Sequence, residues 1–472
     1  MNNNKTPQEK REFLKEITRL TNQCQEGYKQ KRVFERVQGL QWAELCGYGR
    51  KTITQLMLTL GVGKGDWSSW YRVFSEDRYA EEKHSQVMVS EALKHVEPSQ
   101  PFIVGGDGFH IARRSKTMPG TNWMRGLKTA KFKPGLERGQ RYTEISWLTP
   151  VQNGYSRAIP LRCLSAFAQK AVNCREEDKK SESESVLEGL HWLRREMNGK
   201  GRKEQGLVSL NDGGFENISF WNGLPDNTKA VVRTARNRVL YYLPKKDAHG
   251  NRKYGRRAPA PHKWLQKRKK FKKKKVMIRG HERTISYRVQ GPFVREGVSD
   301  HPMYLIVIGG GKRPEGSRRQ RYDPCYFLVS ARQVGEKWVL PFPIQEILTW
   351  IWQRWELEVA HRQMKTGLGL GQKQSWHRIG TIRTVQWSVW IYSLVMMAGY
   401  NIWKNGVGSD PPGRWRKRPA RWSFNSVMQQ IRSEMWQISD FQASWPLSRG
   451  NWPRNPILQA LLQNSLLAST PL

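Results

Sequence analysis

The order of local patterns along the chain predicts an α/β protein: a mixed-sheet core that carries a β-rich insertion and follows a helical N-terminal region. Three observations carry this. Through the first 97 residues, apolar side chains recur at three- and four-residue spacing. From Pro101 the texture changes to three apolar strand-like runs, a helix, and a further run that ends in an acid, the order of a mixed sheet. Alternating segments reaching about residue 338 then precede two long helical stretches. The chain has 472 residues, 38% apolar and 11% aromatic, with 21 Trp. That is ample for a sizeable core and, at roughly 100–200 residues each, for two to four domains.

The helical region opens with EKREFLKEITRLTNQCQEGYKQKRVFERVQGLQWAELCG, which ends at Gly47. A second amphipathic helix follows over Gly49 to Val62. Its first turn would hold Arg50, Lys51, Thr52 and Thr54, where backbone amides and short polar side chains suit phosphate. A helix-turn-helix-like DNA-binding element and an ordinary helical bundle with a basic face both fit. FIVGGDGFHIARR (Phe102 to Arg114) is the first strand. Tyr142 to Asn153 and Tyr155 to Phe167 form a hairpin around Asn153-Gly154. SESESVLEGLHWLRREM is a helix with Val186, Leu187, Leu190 and Leu193 on one face. GLVSLNDGGF and KAVVRTARNRVLYYLP add strands.

Residues 229–275 hold 19 Lys and Arg against one acid, Asp247. Within them Arg268, Lys269, Lys270, Lys272, Lys273, Lys274 and Lys275 surround a single Phe. Such a run must be solvated or laid on phosphate, and its place between strand-like segments favours a DNA-facing loop over a localisation tail. A long helix is expected from Ile344 to about Gly367, another over TIRTVQWSVWIYSLVMMAGYNIW, and a short one near Asn425 to Met435 in a Pro-, Trp- and Arg-rich tail. The expected units are a helical, DNA-binding region 1–97; a core in two parts, 98–228 and 339–404; the basic β-rich insertion 229–338; and the tail 405–472.

Against 81 Lys and Arg stand 40 Asp and Glu, a formal charge of +41. A field of that size opposes compaction unless a polyanion neutralises it, and the obvious one is nucleic acid. Disordered basic tails are poor in aromatics. Ribosomal and chromatin proteins are usually shorter and poorer in Trp. The five cysteines are scattered and form no C-x-x-C pair, which argues against a disulfide framework or structural zinc and for a reducing compartment. The polar N-terminus lacks a signal-peptide core. The most apolar stretch, Val389 to Trp403, is shorter than the roughly 20 residues a bilayer requires, so a buried helix is expected, in a soluble intracellular protein.

Three acids stand apart. Asp107 and Asp212 each end an apolar run and precede a glycine, so both carboxylates should project from strand ends. Glu358 lies on the long helix, with Ile351, Arg354 and Lys365 on its face. Glu356 is about 200° round that helix and should face away. An isolated Asp-Gly is usually a turn. As a set, two strand-end aspartates and a helix glutamate in a basic protein can hold two Mg²⁺ ions about 3.5–4 Å apart, one activating the attacking oxygen and one stabilising the leaving oxygen of a phosphodiester. Carboxylates suit Mg²⁺, which is hard and prefers oxygen.

With these residues the chain resembles one branch of the bacterial insertion-sequence DDE transposases. That branch carries Tyr, two residues, Arg, three residues, Glu, six residues, Lys. In IWQRWELEVAHRQMK, Arg354, Glu358 and Lys365 fit this spacing, and Ile351 occupies the Tyr position. GGDGFHIARRSKTMPG and LVSLNDGGFENISFWNGLP resemble the branch's first and second aspartate motifs. The likeness spans Val104 to Asn401. It implies an RNase H-like core and a cytoplasmic, nucleoid-associated enzyme that nicks DNA and transfers strands. Asp107, Asp212 and Glu358 would be its catalytic ligands for two Mg²⁺ ions, for which Mn²⁺ can substitute. Arg354 and Lys365 would grip phosphates flanking the scissile bond. The partners implied are double-stranded DNA, as element ends and target, and a second copy of the chain in an active homodimer. Relatives can excise through a hairpin with a displaced base stacked on a Trp; Trp264 and Trp338 lie in the corresponding region. Two competing classes are a domesticated DNA-binding relative without catalysis and an RNase H-like structure-specific nuclease.

Overall fold

The computed structural model describes residues 12–62, 64–126, 135–244, 253–266, 270–311, 323–406 and 421–436. Its N-terminal region is helical, as expected: α1 (Glu12–Asn22), α2 (Lys31–Cys46), α3 (Ile53–Thr59), α4 (Ser68–Ser75) and α5 (Glu82–Leu93). In α1 the buried residues Phe13, Leu14, Ile17 and Leu20 form one stripe at helical spacing.

The stripe faces the 26-residue α10 (Arg378–Trp403), which also packs on α4 and α5. Every residue from Val389 to Tyr400 is buried, so the most apolar stretch of the chain is the centre of its core. Leu394, Val395 and Met397 are inaccessible, and each such side chain stabilises the fold by about 1.5–3 kcal/mol. No helix among the described residues is long and apolar enough to cross a membrane.

An eleven-stranded mixed sheet forms the rest. Its strands are β1 (Phe102–Ala112), β2 (Asn122–Arg125), β3 (Leu136–Leu148), β4 (Ala158–Ser165), β5 (Leu207–Asn211), β6 (Thr228–Arg233), β7 (Tyr241–Tyr242), β8 (Lys272–Ile278), β9 (His281–Arg295), β10 (Val298–Ile308) and β11 (Cys325–Ser330). The order is β2-β3-β1-β5-β6-β11-β10-β9-β7, with β4 on β3 and β8 on β9. The pairs β1–β5 and β5–β6 are parallel. A small separate hairpin joins β12 (Arg332–Val334) to β13 (Lys337–Val339). The expected hairpin turn is present: Asn153 and Gly154 have φ of 50° and 76°, the left-handed pair that a tight turn between β3 and β4 requires.

The β-rich segment after residue 229 joins the core sheet: β11 pairs with β6 through Phe327–Arg233, Leu328–Val232 and Val329–Val231. One expectation is corrected here. The long helix from Ile344 is two, α8 (Ile344–Gln353) and α9 (Trp355–Gly367). At Arg354 the dihedrals stay helical, but the Leu357 amide donates to the Arg354 carbonyl at 3.1 Å, a three-residue bond that tightens the turn.

Helices close both faces of β1. α6 (Glu182–Gly199) starts at a full capping box, Ser181 with Glu184, and buries Val186, Leu190 and Leu193. A Cβ on Gly106 would lie 2.8 Å from Val186 of α6, and one on Gly105 2.6 Å from Leu357 of α9. These two glycines let the helices approach the strand from opposite sides, next to Asp107. The short α7 (Ile218–Asn222) follows β5, and α11 (Phe424–Trp436) packs on α1, α2 and α10.

Candidate active site

Asp107 is not at a strand end. It is the sixth residue of β1, with its antiparallel partner Glu144 opposite on β3. The parallel ladder to β5 stops one residue earlier, at Gly106–Asn211, because β5 gives way to a single 3-10 turn, Gly213–Phe215. Asp107 and Asp212 each follow the last paired residues, Gly106 and Asn211, so both come directly after the point where the β1–β5 ladder ends. Asp212 precedes that turn without capping it through its side chain.

Side chains alternate along β1, so Asp107 shares the face of Gly105 and Phe109, towards α9. Its Oδ1 accepts from the Gly108 amide at 2.9 Å. Burial raises its pKa to about 6, against the opposing pull of His361 and Arg354.

Arg354 spans two of the acids. Nη1 lies 4.0 Å from Asp107 Oδ2, and Nη2 donates to Glu358 Oε1 at 2.9 Å. Glu356 turns away, as its angle on the helix predicts, and pairs with Arg421 at 3.2 Å. Ile351 is buried in the core. Lys365 is exposed in the last turn of α9.

Two further groups belong to this face, and neither was singled out from sequence. His361 is three residues beyond Glu358, and its Nε2 lies 3.1 Å from Oε1 of Glu144, a fully buried carboxylate. Burial opposes protonation of His361, but Glu144 and then Asp107 outweigh it and raise its pKa. Helical spacing marks Arg354, four residues before Glu358, and could equally have marked His361, three residues after it; Glu144 is the one acid in the apolar run YTEISWL.

The expected DNA contacts divide. Arg50 is exposed beside α3. Lys51 is a correction: it is 4% exposed and its Nζ donates to the carbonyls of Glu44 and Gly47, at 2.7 and 2.5 Å. It closes the C-terminal end of α2, so its charge is turned inward, away from any phosphate. Thr52 spends its hydroxyl on capping α3. The basic run is also not a loop: Lys272, Lys273, Lys274 and Lys275 are the exposed first four residues of β8, which among the described residues pairs with β9 alone. Lys270 is exposed just before it, and Arg268 and Lys269 lie outside the described residues. Trp264 and Trp338 are both half-buried, and Arg288 stacks on Trp264 at 4.6 Å.

Among the described residues, no three His, Cys, Asp or Glu are drawn together as a ready metal site. The donor set nonetheless suits a divalent ion: Asp107 is a poorly solvated carboxylate, and a guanidinium supplies the positive charge between it and Glu358.

No curated protein matches the chain. A family described as DDE superfamily endonuclease matches residues 35–291, more than half of it. The match takes in Asp107 and Asp212 and ends before Glu358. Enzymes of this superfamily cut DNA and generally use divalent metal ions, and the mixed sheet flanked by helices is the RNase H-like arrangement expected of them. The mixed sheet and the superfamily match agree, and the chain belongs to the DDE superfamily endonucleases.

Proposed function

We propose that this chain is an insertion-sequence transposase that cleaves DNA strands at the ends of its element and joins them to target DNA. Asp107, Asp212 and Glu358 would hold two Mg²⁺ ions. The observation that carries the reading is Arg354, bridging Asp107 and Glu358 from the pinch between α8 and α9. It ties the helix acid, which the superfamily match does not reach, to a strand aspartate that it does.

Bound ions would supply an activated attacking oxygen and a stabilised leaving oxygen. The chain's own groups do the rest. Arg354 exchanges its carboxylate partners for a phosphate flanking the scissile bond, a bidentate match that guanidinium suits. Lys365, exposed two helical turns beyond Glu358, takes a second phosphate. The lysines of β8 and Arg50 hold duplex further out and work in proportion to the phosphates they neutralise. Two copies of the chain would bring two ends together.

The test is an assay of the purified chain with Mg²⁺ and duplexes carrying the inverted repeats that flank its gene. Nicks at the repeat ends followed by joined products support transposition. Cutting without joining would make it a nuclease, and binding without cutting a domesticated relative.

A further inference from the structure

Asp212 enters a turn that has little rigidity of its own: Gly213 and Gly214 are both exposed, and the turn is a single 3-10 element. Its exit residue, Glu216, is held unusually firmly. The Glu216 side chain is 1% exposed and is met from three directions. Oε1 pairs with Nη1 of Arg295, the last residue of β9, which also reaches the Glu216 carbonyl at 3.3 Å. Oε2 pairs with Nη2 of Arg238, in the connection from β6 to β7. Oε2 also accepts from Thr234 Oγ1, just past β6, at 3.2 Å.

Desolvating a carboxylate and two guanidiniums is expensive, and such a cluster contributes little net stability compared with apolar packing. It does fix geometry. The next residue, Asn217, caps α7 with its oxygen and donates its amide nitrogen to Ser183 of α6 at 2.5 Å, so the far side of the turn is pinned on two faces. With Asn211, the last β5 residue, paired in the ladder and the exit clasped, the backbone is held on both sides of Asp212.

We propose that Glu216 is a positioning residue for Asp212, and that Arg238 and Arg295 carry the β6–β7 connection and β9 into the geometry of the metal site. This rests on the reading of Asp212 as a metal ligand. A displacement of about 1 Å in a reacting group can cost about 100-fold in rate, which is the scale on which the clasp matters. Strand β9 also pairs with lysine-rich β8 through His281 to Tyr287, so the strand that ends in the clasping Arg295 begins beside those lysines.

The test uses the full chain without DNA and Mn²⁺ as the probe, with the dissociation constant read by electron paramagnetic resonance. Glu216→Gln keeps the shape and removes the charge; Glu216→Asp keeps the charge. In Glu216→Gln, Mn²⁺ binding should weaken about tenfold or more, with duplex affinity unchanged and partial recovery in Glu216→Asp. A folded Glu216→Gln with wild-type Mn²⁺ affinity overturns the proposal, even if its melting temperature falls. If Glu216→Gln does not fold, Thr234→Val decides: loss of one hydrogen bond should weaken Mn²⁺ binding about two- to threefold, and no change overturns the proposal. Asp212→Ala separates the two levels of inference. If it binds Mn²⁺ as the wild type does, the ligand assignment itself fails; if it loses Mn²⁺ while Glu216→Gln keeps it, only the positioning role fails.

Discussion

Arg354 Nη2 donates to Glu358 Oε1 at 2.9 Å, one helical turn along, while its other nitrogen stands 4.0 Å from Asp107. A guanidinium between two acids lowers their mutual repulsion and preserves their approach until something more highly charged displaces it. The acids should accordingly be separable from Glu356. Asp107→Asn, Asp212→Asn and Glu358→Gln should each abolish cleavage, a loss of several kcal/mol of transition-state stabilisation, with duplex binding retained. Glu356→Gln should still cleave and should lower the melting temperature, because it strands Arg421. Cleavage by Glu358→Gln with none by Glu356→Gln would reverse the assignment.

The basic strand makes a finer prediction than its charge alone. In a strand, Lys272 and Lys274 face one way, Lys273 and Lys275 the other. A duplex can lie on one face only. Converting one pair to Gln should reduce the slope of log affinity against log salt by about two, and converting the other should leave it nearly unchanged. Lys275 is already paired with exposed Glu282 at 2.8 Å, while Lys272 and Lys274 share the face of buried Val276 and Ile278, so the salt slope identifies the pair that matters. Equal effects from both pairs, or none from either, would remove β8 from the DNA path. Sequence preference should not change, since phosphate contacts position and base contacts specify.

His84 should make the protein acid-sensitive. It is buried, stacks on Trp390 with centroids 4.1 Å apart, and its Nε2 lies 2.6 Å from Tyr28 Oη. Burial lowers its pKa to about 3. The neutral ring is the folded form, so its stabilisation is complete above the unfolded pKa near 6.5 and is lost as pH falls towards 3. Between pH 7 and 5 the loss should be about 2 kcal/mol. Melting temperatures of wild type and His84→Gln across that range check this; the variant should start lower and show a shallower slope. Parallel slopes would exclude His84.

Lys373 and Glu44 form a buried ion pair at 2.6 Å, 1% and 0% exposed, with Trp387 Nε1 donating to the other Glu44 oxygen at 2.6 Å. It fastens the segment between α9 and α10 to α2. Lys373→Met alone should destabilise by about 3–5 kcal/mol, because it strands a buried carboxylate. Lys373→Met with Glu44→Leu should recover most of that loss in a denaturant titration. If the double variant is as weak as the single, the pair's worth lies in its attraction and not in the unpaired charge.

Much of this protein could be read along the chain, because periodicity and turn chemistry act over a few residues. The strand run ending just before Asp212, the Asn153-Gly154 hairpin, the α6 face of Val186, Leu190 and Leu193, and the outward turn of Glu356 all follow from spacings shorter than one element, whereas the end of β1, five residues beyond Asp107, does not. What the tertiary structure decided involves partners far apart in the chain. Lys51 looks like any exposed cation of a first turn until the end of α2 closes over it. The lysine run looks like a solvated loop until β9 offers its free edge. Glu144 meets His361 across 217 residues, and Glu216 meets Arg295 across 79. A local pattern can state that a charge exists and which face it is on. Whether that charge is desolvated, and by which opposite charge it is met, depends on the packing of elements whose separation in sequence carries no information about their distance in space.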